Sequence, residues 1–301
     1  MKRLASAGLV SALLISIATL WLAPAYGTEQ MAAASPALGA PLPEAIKARG
    51  KLIIGVKCDY PPFGYVDANG KNVGFEIDVV REFVTLAFGS PDAVELQCVT
   101  GPNRIPYITS DRVDGIASVL SWTPDRAKII GFSDPYFDSG IRMLVPKEST
   151  IKDWPDIKGK TITTTNGGTQ SIWLQKCMPD VHQMLFDNTA DSLSALKQDR
   201  AVAFPQDLTL LVGIVTKDPS LKIVGHSVAR GPFGVGVKLD NKALAAWFNA
   251  AIAEMTKEDF FWKTLTKWVP PDALAEFKTA VPRPAQTPIS YKEAEDIYKC
   301  D

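Results

Sequence analysis

Short apolar runs of strand-forming residues alternate along this chain with segments of helical period, and that alternation restricts it to layered α/β folds. Lys51-Leu52-Ile53-Ile54-Gly55-Val56 runs into polar residues and Pro61-Pro62, which reads as a buried strand followed by a loop. Phe75, Val79, Phe83 and Ala87, with Val80 and Val84, trace one face of an amphipathic helix. Val94 to Val99 alternates as a strand does, Arg104 to about Ser110 reads as a short helix, and Gly115 to Leu120 as the next strand. The β-branched run Thr161 to Thr165 opens a second series, followed by an Asn166-Gly167-Gly168 turn and a helix from Thr169 to Met178. Strands at 183–187, 201–204 and 223–226 alternate with helices at 191–198 and 208–216, and the tail carries helices at 243–255 and 260–268. Strands joined through helices pair in parallel with right-handed crossovers. Ile141 to Pro146 and Gly231 to Val237 are the two apolar segments suited to connect the two series.

The first residues read as a secretory signal. Lys2 and Arg3 precede an apolar stretch from Leu4 to Ala23, and the small residues Ala23, Ala25 and Gly27 follow, so residues 1–27 are expected to be removed. About 20 apolar residues span a bilayer, but the small-residue end and the absence of a basic flank favour cleavage over anchoring. No Cys stands there for a lipid anchor. Residues 28–43 are rich in Ala, Pro and Ser and read as a flexible leader. Loss of Lys2 and Arg3 moves the formal charge from −1 to −3, which leaves no basic surface for nucleic acid. Roughly 260 residues remain, enough for two modest lobes. Cys58, Cys98, Cys177 and Cys300 suit an oxidising compartment and allow three pairings; Cys58 with Cys98 is conceivable because each ends a candidate strand, and Cys177 with Cys300 would then tie down the C-terminus. His182 and His226 lack ligand-spaced companions, so no metal or cofactor is expected.

One helix start carries a cation where it is disfavoured. Thr123 before Pro124 reads as an N-cap with proline at the first helical position, which puts Arg126 in the first turn, at the positive end of the helix dipole. The arrangement makes sense if an anion sits there, held by free backbone N–H groups, the Ser121 hydroxyl and a two-pronged guanidinium. The plainer reading is an exposed Arg126 paired with Asp125.

Longer motifs carry a family resemblance. Gly74-Phe75-Glu76-Ile77-Asp78-Val79 resembles the signature segment of the family 3 periplasmic solute-binding proteins of amino-acid uptake systems, with Phe83 bulkier than the usual aliphatic. Tyr60-Pro61-Pro62-Phe63, Phe132-Ser133-Asp134-Pro135-Tyr136, Ile157-Lys158-Gly159-Lys160 and Arg200-Ala201-Val202-Ala203-Phe204 match in order, over about Leu52 to Trp268. Asn103-Arg104-Ile105-Pro106 is similar to a segment of the glutamate/aspartate-binding branch.

The resemblance implies a two-lobed type II periplasmic-binding-protein fold, each lobe a mixed, mainly parallel sheet flanked by helices, with two hinge strands. It divides the chain into a discontinuous lobe of 44–142 and 236–301 and a second lobe of 143–235. It implies that Arg126 holds an amino acid's α-carboxylate beside Ser121 and Ser118, that Gly167, Gly168 and Thr169 meet that carboxylate from the second lobe, and that Asp207 takes the α-ammonium beside Tyr60. These types suit a zwitterion, whose carboxylate wants a planar fork and whose ammonium wants an acceptor. Read alone, Asp207 is a helix N-cap, Tyr60 a loop aromatic over two prolines, and Gly167-Gly168 a turn.

Lys57 and Arg104 match positions that are both arginine in the glutamate/aspartate branch. Together they suit a second carboxylate and repel a cationic ligand. Lysine, however, offers a point charge rather than a fork, and Val119 replaces a hydroxyl common in the family. Read alone, Lys57 is a solvated strand end, and Arg104 pairs with Asp111 or Asp114. The expected function is therefore monomeric capture, in the periplasm, of a free polar amino acid, glutamate or aspartate ahead of glutamine or asparagine, and delivery to a membrane ABC permease. The competing class is an enzyme on the same scaffold, similar to cyclohexadienyl dehydratases, for which Lys57 and Glu76 are the candidate acid–base groups. A receptor's sensing domain lacks a downstream span or kinase region in this sequence.

Overall fold

The computed structural model describes residues 38–294 and 299–300; the expected signal segment and the leader up to residue 37 lie outside the described residues. Helix α1 (Glu44–Arg49) leads into strand β1 (Leu52–Val56). A small antiparallel meander follows, made of β2 (Asp59–Tyr60), β3 (Gly64–Val66) and β4 (Asn72–Val73). Next come α2 (Phe75–Phe88), β5 (Val94–Cys98), α3 (Arg104–Thr109), β6 (Gly115–Ala117), α4 (Pro124–Ala127) and β7 (Ile130–Phe137). The chain continues through β8 (Ile141–Pro146), β9 (Thr161–Thr165), α5 (Thr169–Cys177), β10 (His182–Phe186), α6 (Thr189–Lys197), β11 (Phe204–Asp207), α7 (Leu208–Lys217) and β12 (Leu221–Val228). It closes with β13 (Phe233–Lys238), α8 (Lys242–Lys257) and α9 (Phe260–Trp268).

One five-stranded sheet has the order β5-β1-β6-β13-β7. β1 is parallel to β5 and β6, and β13 runs antiparallel between β6 and β7. The other series builds β9 parallel to β10, and β8 antiparallel to both β11 and β12. Backbone bonds from Val202 N–H to Thr161 O (2.9 Å) and from Thr163 N–H to Ala203 O (3.0 Å) join these two pieces. The chain leaves the five-stranded sheet between β7 and β8 and returns to it between β12 and β13, which makes a two-lobed α/β fold with helices on the sheets.

Apolar periodicity explains the cores. Phe75, Val79, Val80, Phe83 and Val84 of α2 are all buried. Phe63, Phe75, Phe137 and Phe233 form a chain of ring contacts, with centroids 4.9–5.4 Å apart along Phe75–Phe63 (5.0 Å), Phe63–Phe137 (4.9 Å) and Phe137–Phe233 (5.4 Å). Met143, Val145 and Ile162 pack with Trp154 and Trp173 in the second core. Gly74 sets the start of α2: its φ is +128°, and a Cβ there would stand 2.3 Å from the Phe63 carbonyl oxygen.

Helix α1, the β2–β4 meander and β7 are absent from the sequence reading, and the two expected connectors are strands β8 and β13 within the sheets; two further differences shape the cavity. The strand expected over 115–120 stops at Ala117, because Val119 turns into the left-handed region at φ +52°. The strand expected over 201–204 is registered instead at Phe204–Asp207, through Pro205. All four of its residues are buried, so its polar end is cavity wall rather than turn. Among the described residues no helix is long and apolar enough to cross a membrane.

The disulfides join Cys58 to Cys98 and Cys177 to Cys300. The first ties the end of β1 to the end of β5, closing a separation of 40 residues. Replacing Cys58 and Cys98 together by serine should lower unfolding free energy by about 2–4 kcal/mol, because the unfolded chain regains loop entropy. A urea titration checks it, and an unchanged midpoint would show that the link carries no stability.

Candidate binding site

Between the two series lies a cavity. It sits at the carboxyl ends of strands, where open α/β sheets leave a crevice. Lys57 follows β1, Gly101 and Arg104 follow β5, and Val119 and Ser121 follow β6; these line one wall together with Tyr60. Thr165, at the end of β9, and Asn166, Gly168, Thr169 and Gln170, at the start of α5, line the other with Gln206 and Asp207 of β11.

Each expected residue has a definite place. Arg126 is buried; its backbone N–H donates to Thr123 Oγ1 at 3.1 Å, which is the anticipated N-cap with Pro124 at the first position. Its guanidinium donates from Nη1 to Ser121 O at 2.6 Å and from Nη2 to Gly167 O at 2.9 Å. Asp125 meets Lys128 instead, at 2.8 Å. Arg104, also buried, donates from Nη1 to Ser118 O (3.0 Å) and Val119 O (3.1 Å) and from Nη2 to Gly167 O (3.2 Å). Its plainer partners are engaged elsewhere, Asp111 with Lys238 at 2.6 Å and Asp114 with Arg49. Lys57, Tyr60, Arg104, Ser121, Gly168, Thr169 and Asp207 line the cavity, whereas Ser118, Arg126 and Gly167 adjoin lining residues without being part of the lining.

Asp207 occupies the N-cap position of α7, yet its side chain makes no capping bond. It is 6% exposed, and one carboxylate oxygen accepts the Tyr60 hydroxyl at 3.3 Å. Burial pushes its pKa up to about 6, against the pull of the Tyr60 hydroxyl, Arg104 and Arg126. Lys57 is buried as well, with Nζ 3.3 Å from Asp59 Oδ1 and 5.7 Å from the Tyr60 ring centre. Burial lowers its pKa, and Asp59 partly restores it.

Beneath the lining, Glu76 is fully buried and its carboxyl rises to about 7 through burial, opposed by the Tyr136 hydroxyl and the Val119 N–H. Gly101 meets Asn166 and Gly167 so closely that a Cβ on Gly101 would lie 2.1 Å from the Asn166 carbonyl oxygen. Among the described residues no group of three or more His, Cys, Asp or Glu is placed to hold a metal ion.

Gln206, Gln170, Thr165, Asn166 and Gly101 were not anticipated in the wall. Gln206 accepts the Asp207 N–H at 2.9 Å and donates to Thr165 Oγ1 at 2.8 Å, and Gln170 donates to the same hydroxyl at 2.8 Å. Gln206 stands beside Asp207, and Asn166 and Gln170 flank Gly167-Gly168-Thr169, a sequence signal that could have found these three; none marks Gly101.

Residues 52–271 match the family described as bacterial extracellular solute-binding proteins, family 3. A glutamine-binding protein of Geobacillus stearothermophilus is 35% identical over 201 residues, covering 66% of this chain and 77% of the relative. The glutamate/aspartate import solute-binding protein of Escherichia coli (strain K12) is 30% identical over 272 residues, covering 85% of this chain and 90% of the relative. Among solved structures, a solute receptor for L-cysteine of Neisseria gonorrhoeae superposes with a TM-score of 0.75 at 33% identity, over 78% of this chain and 96% of that one. With the signature segment, the two-lobed fold and this match over most of its length, the chain belongs to the family 3 bacterial extracellular solute-binding proteins.

Proposed function

We propose that this chain is the capture subunit of an ABC importer, holding one free amino acid, most favourably an acidic one, and presenting it to a membrane permease from the periplasm. The observation that carries the reading is the separation of buried charge across the cavity. Asp207 faces it from β11 with a side chain not used to cap α7, and Arg104 lines the opposite wall, sharing the Gly167 carbonyl with Arg126. An α-amino acid presents the complementary pair, and desolvating either end without a partner costs several kcal/mol. In this reading Arg126 and Ser121, with the backbone at Gly168 and Thr169, receive the α-carboxylate. Asp207 and Tyr60 receive the ammonium.

Lys57 and Arg104 favour a second carboxylate. Both are buried in or at the lining, and burial works against the charge on each. A ligand anion would supply what burial removes. The specific observation on the other side is the Lys57–Asp59 pair, which spends part of the lysine's charge, together with the amides Gln170, Gln206 and Asn166 in the wall. That combination suits glutamine or asparagine, and the Geobacillus stearothermophilus relative is named for glutamine.

Binding without chemistry is favoured because Glu76, one of the two acid–base candidates, is committed to Tyr136 and Val119 outside the lining. The lobes would close on the ligand through the segments at 138–140 and 229–232 that join the sheets; because β8 pairs within the second lobe and β13 within the first, these joins fall a few residues before the expected boundaries at 142 and 235.

Arg126→Ala and Asp207→Ala should each weaken amino-acid binding at least about thirtyfold, since truncating one member of a buried charge pair leaves the other unpaired. Calorimetry measures this, and unchanged affinity in both variants would end the site assignment. A thermal-shift panel of glutamate, aspartate, glutamine, asparagine, cysteine, arginine and lysine should show the largest rise with an acidic member, because ligand binding to the folded state alone raises its stability. A clear preference for arginine or lysine would overturn the acidic reading. Gly101→Ala, whose new methyl meets the Asn166 carbonyl, should hold the halves apart and cost at least about tenfold in affinity with little change in melting temperature. Affinity equal to the parent protein would show that this approach is not needed for binding.

A further inference from the structure

We propose that Glu76 is a positioning residue for the ligand site: from beneath the cavity it holds the backbone of Val119 in a conformation that valine resists, and through Val119 it orients Arg104. The inference rests on the cavity being the amino-acid site. Glu76 lies in the first turn of α2 and is not part of the lining. Its two carboxylate oxygens accept the same N–H, that of Val119, at 2.8 and 3.0 Å. One of them also accepts the Tyr136 hydroxyl at 2.5 Å.

Val119 needs such an anchor. Its φ of +52° is a region that L-residues avoid, and branched side chains most of all. The other non-glycine residues at positive φ among the described residues are Asp111, Asp199, Ala229, Asp259 and Ala285, none of them β-branched. So the one branched side chain held there is in the cavity wall. A strained conformation persists only where its surroundings over-determine it.

The consequence is carried upward by the carbonyls. Those of Ser118 and Val119 accept Arg104 Nη1 at 3.0 and 3.1 Å, so the same two-residue backbone is gripped by a carboxyl group at its N–H and a cation at its oxygens. If the carboxylate let go, valine would relax toward extended dihedrals and those carbonyls would swing away. Arg104 would keep only its contact to Gly167 O at 3.2 Å. Ser121, two residues on, supplies the carbonyl that meets Arg126 at 2.6 Å, so the second guanidinium would be disturbed as well.

A double-mutant cycle in ligand affinity tests the idea. L-glutamate, or whichever amino acid gives the largest thermal shift, is titrated into the parent protein, Glu76→Gln, Val119→Gly and the double variant. Glycine takes the left-handed conformation unaided. Glu76→Gln should therefore cost at least about tenfold in affinity beside Val119 and less than about threefold beside the glycine. Equal losses in both backgrounds, or none in either, would overturn the proposal, because Glu76 would then act through the core or not at all.

If Glu76→Gln fails to fold, Glu76→Asp, which keeps the carboxyl and withdraws it by one methylene, takes its place with the same expected pattern. Amide hydrogen exchange at Val119, measured without amino acid, should be slow in the parent protein and faster in the Glu76 variant. Unchanged exchange would overturn the clamp itself. If the parent protein binds none of the amino acids, the site reading fails while the exchange comparison still decides the clamp.

Discussion

Arg104 and Arg126 both donate to the carbonyl oxygen of Gly167, at 3.2 and 2.9 Å, so two cations rooted after β5 and after β6 converge on a single acceptor beyond β9. Beside that point, Gly101 and Gly167 bring their backbones within a distance that admits no side chain. Everything else about the cavity follows from this contact. It sets how near the walls stand, it aims two guanidinium groups at one place, and it lays the start of α5 against the opposite half. The fold's role is to place strand ends on either side of that meeting point.

Ionisable groups are seldom buried without partners, and here each has one. Lys57 has Asp59, Asp207 has the Tyr60 hydroxyl, and Glu76 has Tyr136 and a backbone N–H used twice. Burial outweighs those partners at two of these groups, raising the carboxyl on Asp207 and lowering the ammonium on Lys57. A rigid hydrophobic wall would gain nothing from a ligand's charges. In the proposed reading, a wall whose charges are only part-satisfied would gain from a zwitterion, and that difference would make the site selective for charged ends.

The linear sequence made much of this legible, and the reasons are local. Thr123-Pro124 marks a helix start because its capping geometry depends on neighbours three residues away, and the Thr123 hydroxyl does accept the Arg126 N–H. The face Phe75–Val79–Phe83 is periodic, so α2 was evident within a residue. By contrast, Arg104 had acids nearby in sequence, Asp111 and Asp114, and used neither; its partners are carbonyls 14, 15 and 63 residues away. Gln206 and Thr165 join the wall through a contact between strands 41 residues apart, which leaves no periodic trace. The strand holding Pro205 was displaced for a related reason: proline and polar residues resemble a turn until a second sheet buries them.

By itself the sequence determined the layered α/β class, the principal strands and helices, the capped start at Arg126 and the inventory of charges available for a site. These depend on side-chain period and on hydrogen bonds within a few residues. Only the tertiary structure decided which charges face each other, that Asp207 leaves its helix uncapped to meet Tyr60, that Glu76 reaches under the site to Val119, and which cysteines join. Those outcomes hang on distances between residues far apart in the chain, which exist only once two sheets have packed and excluded water from the space between them.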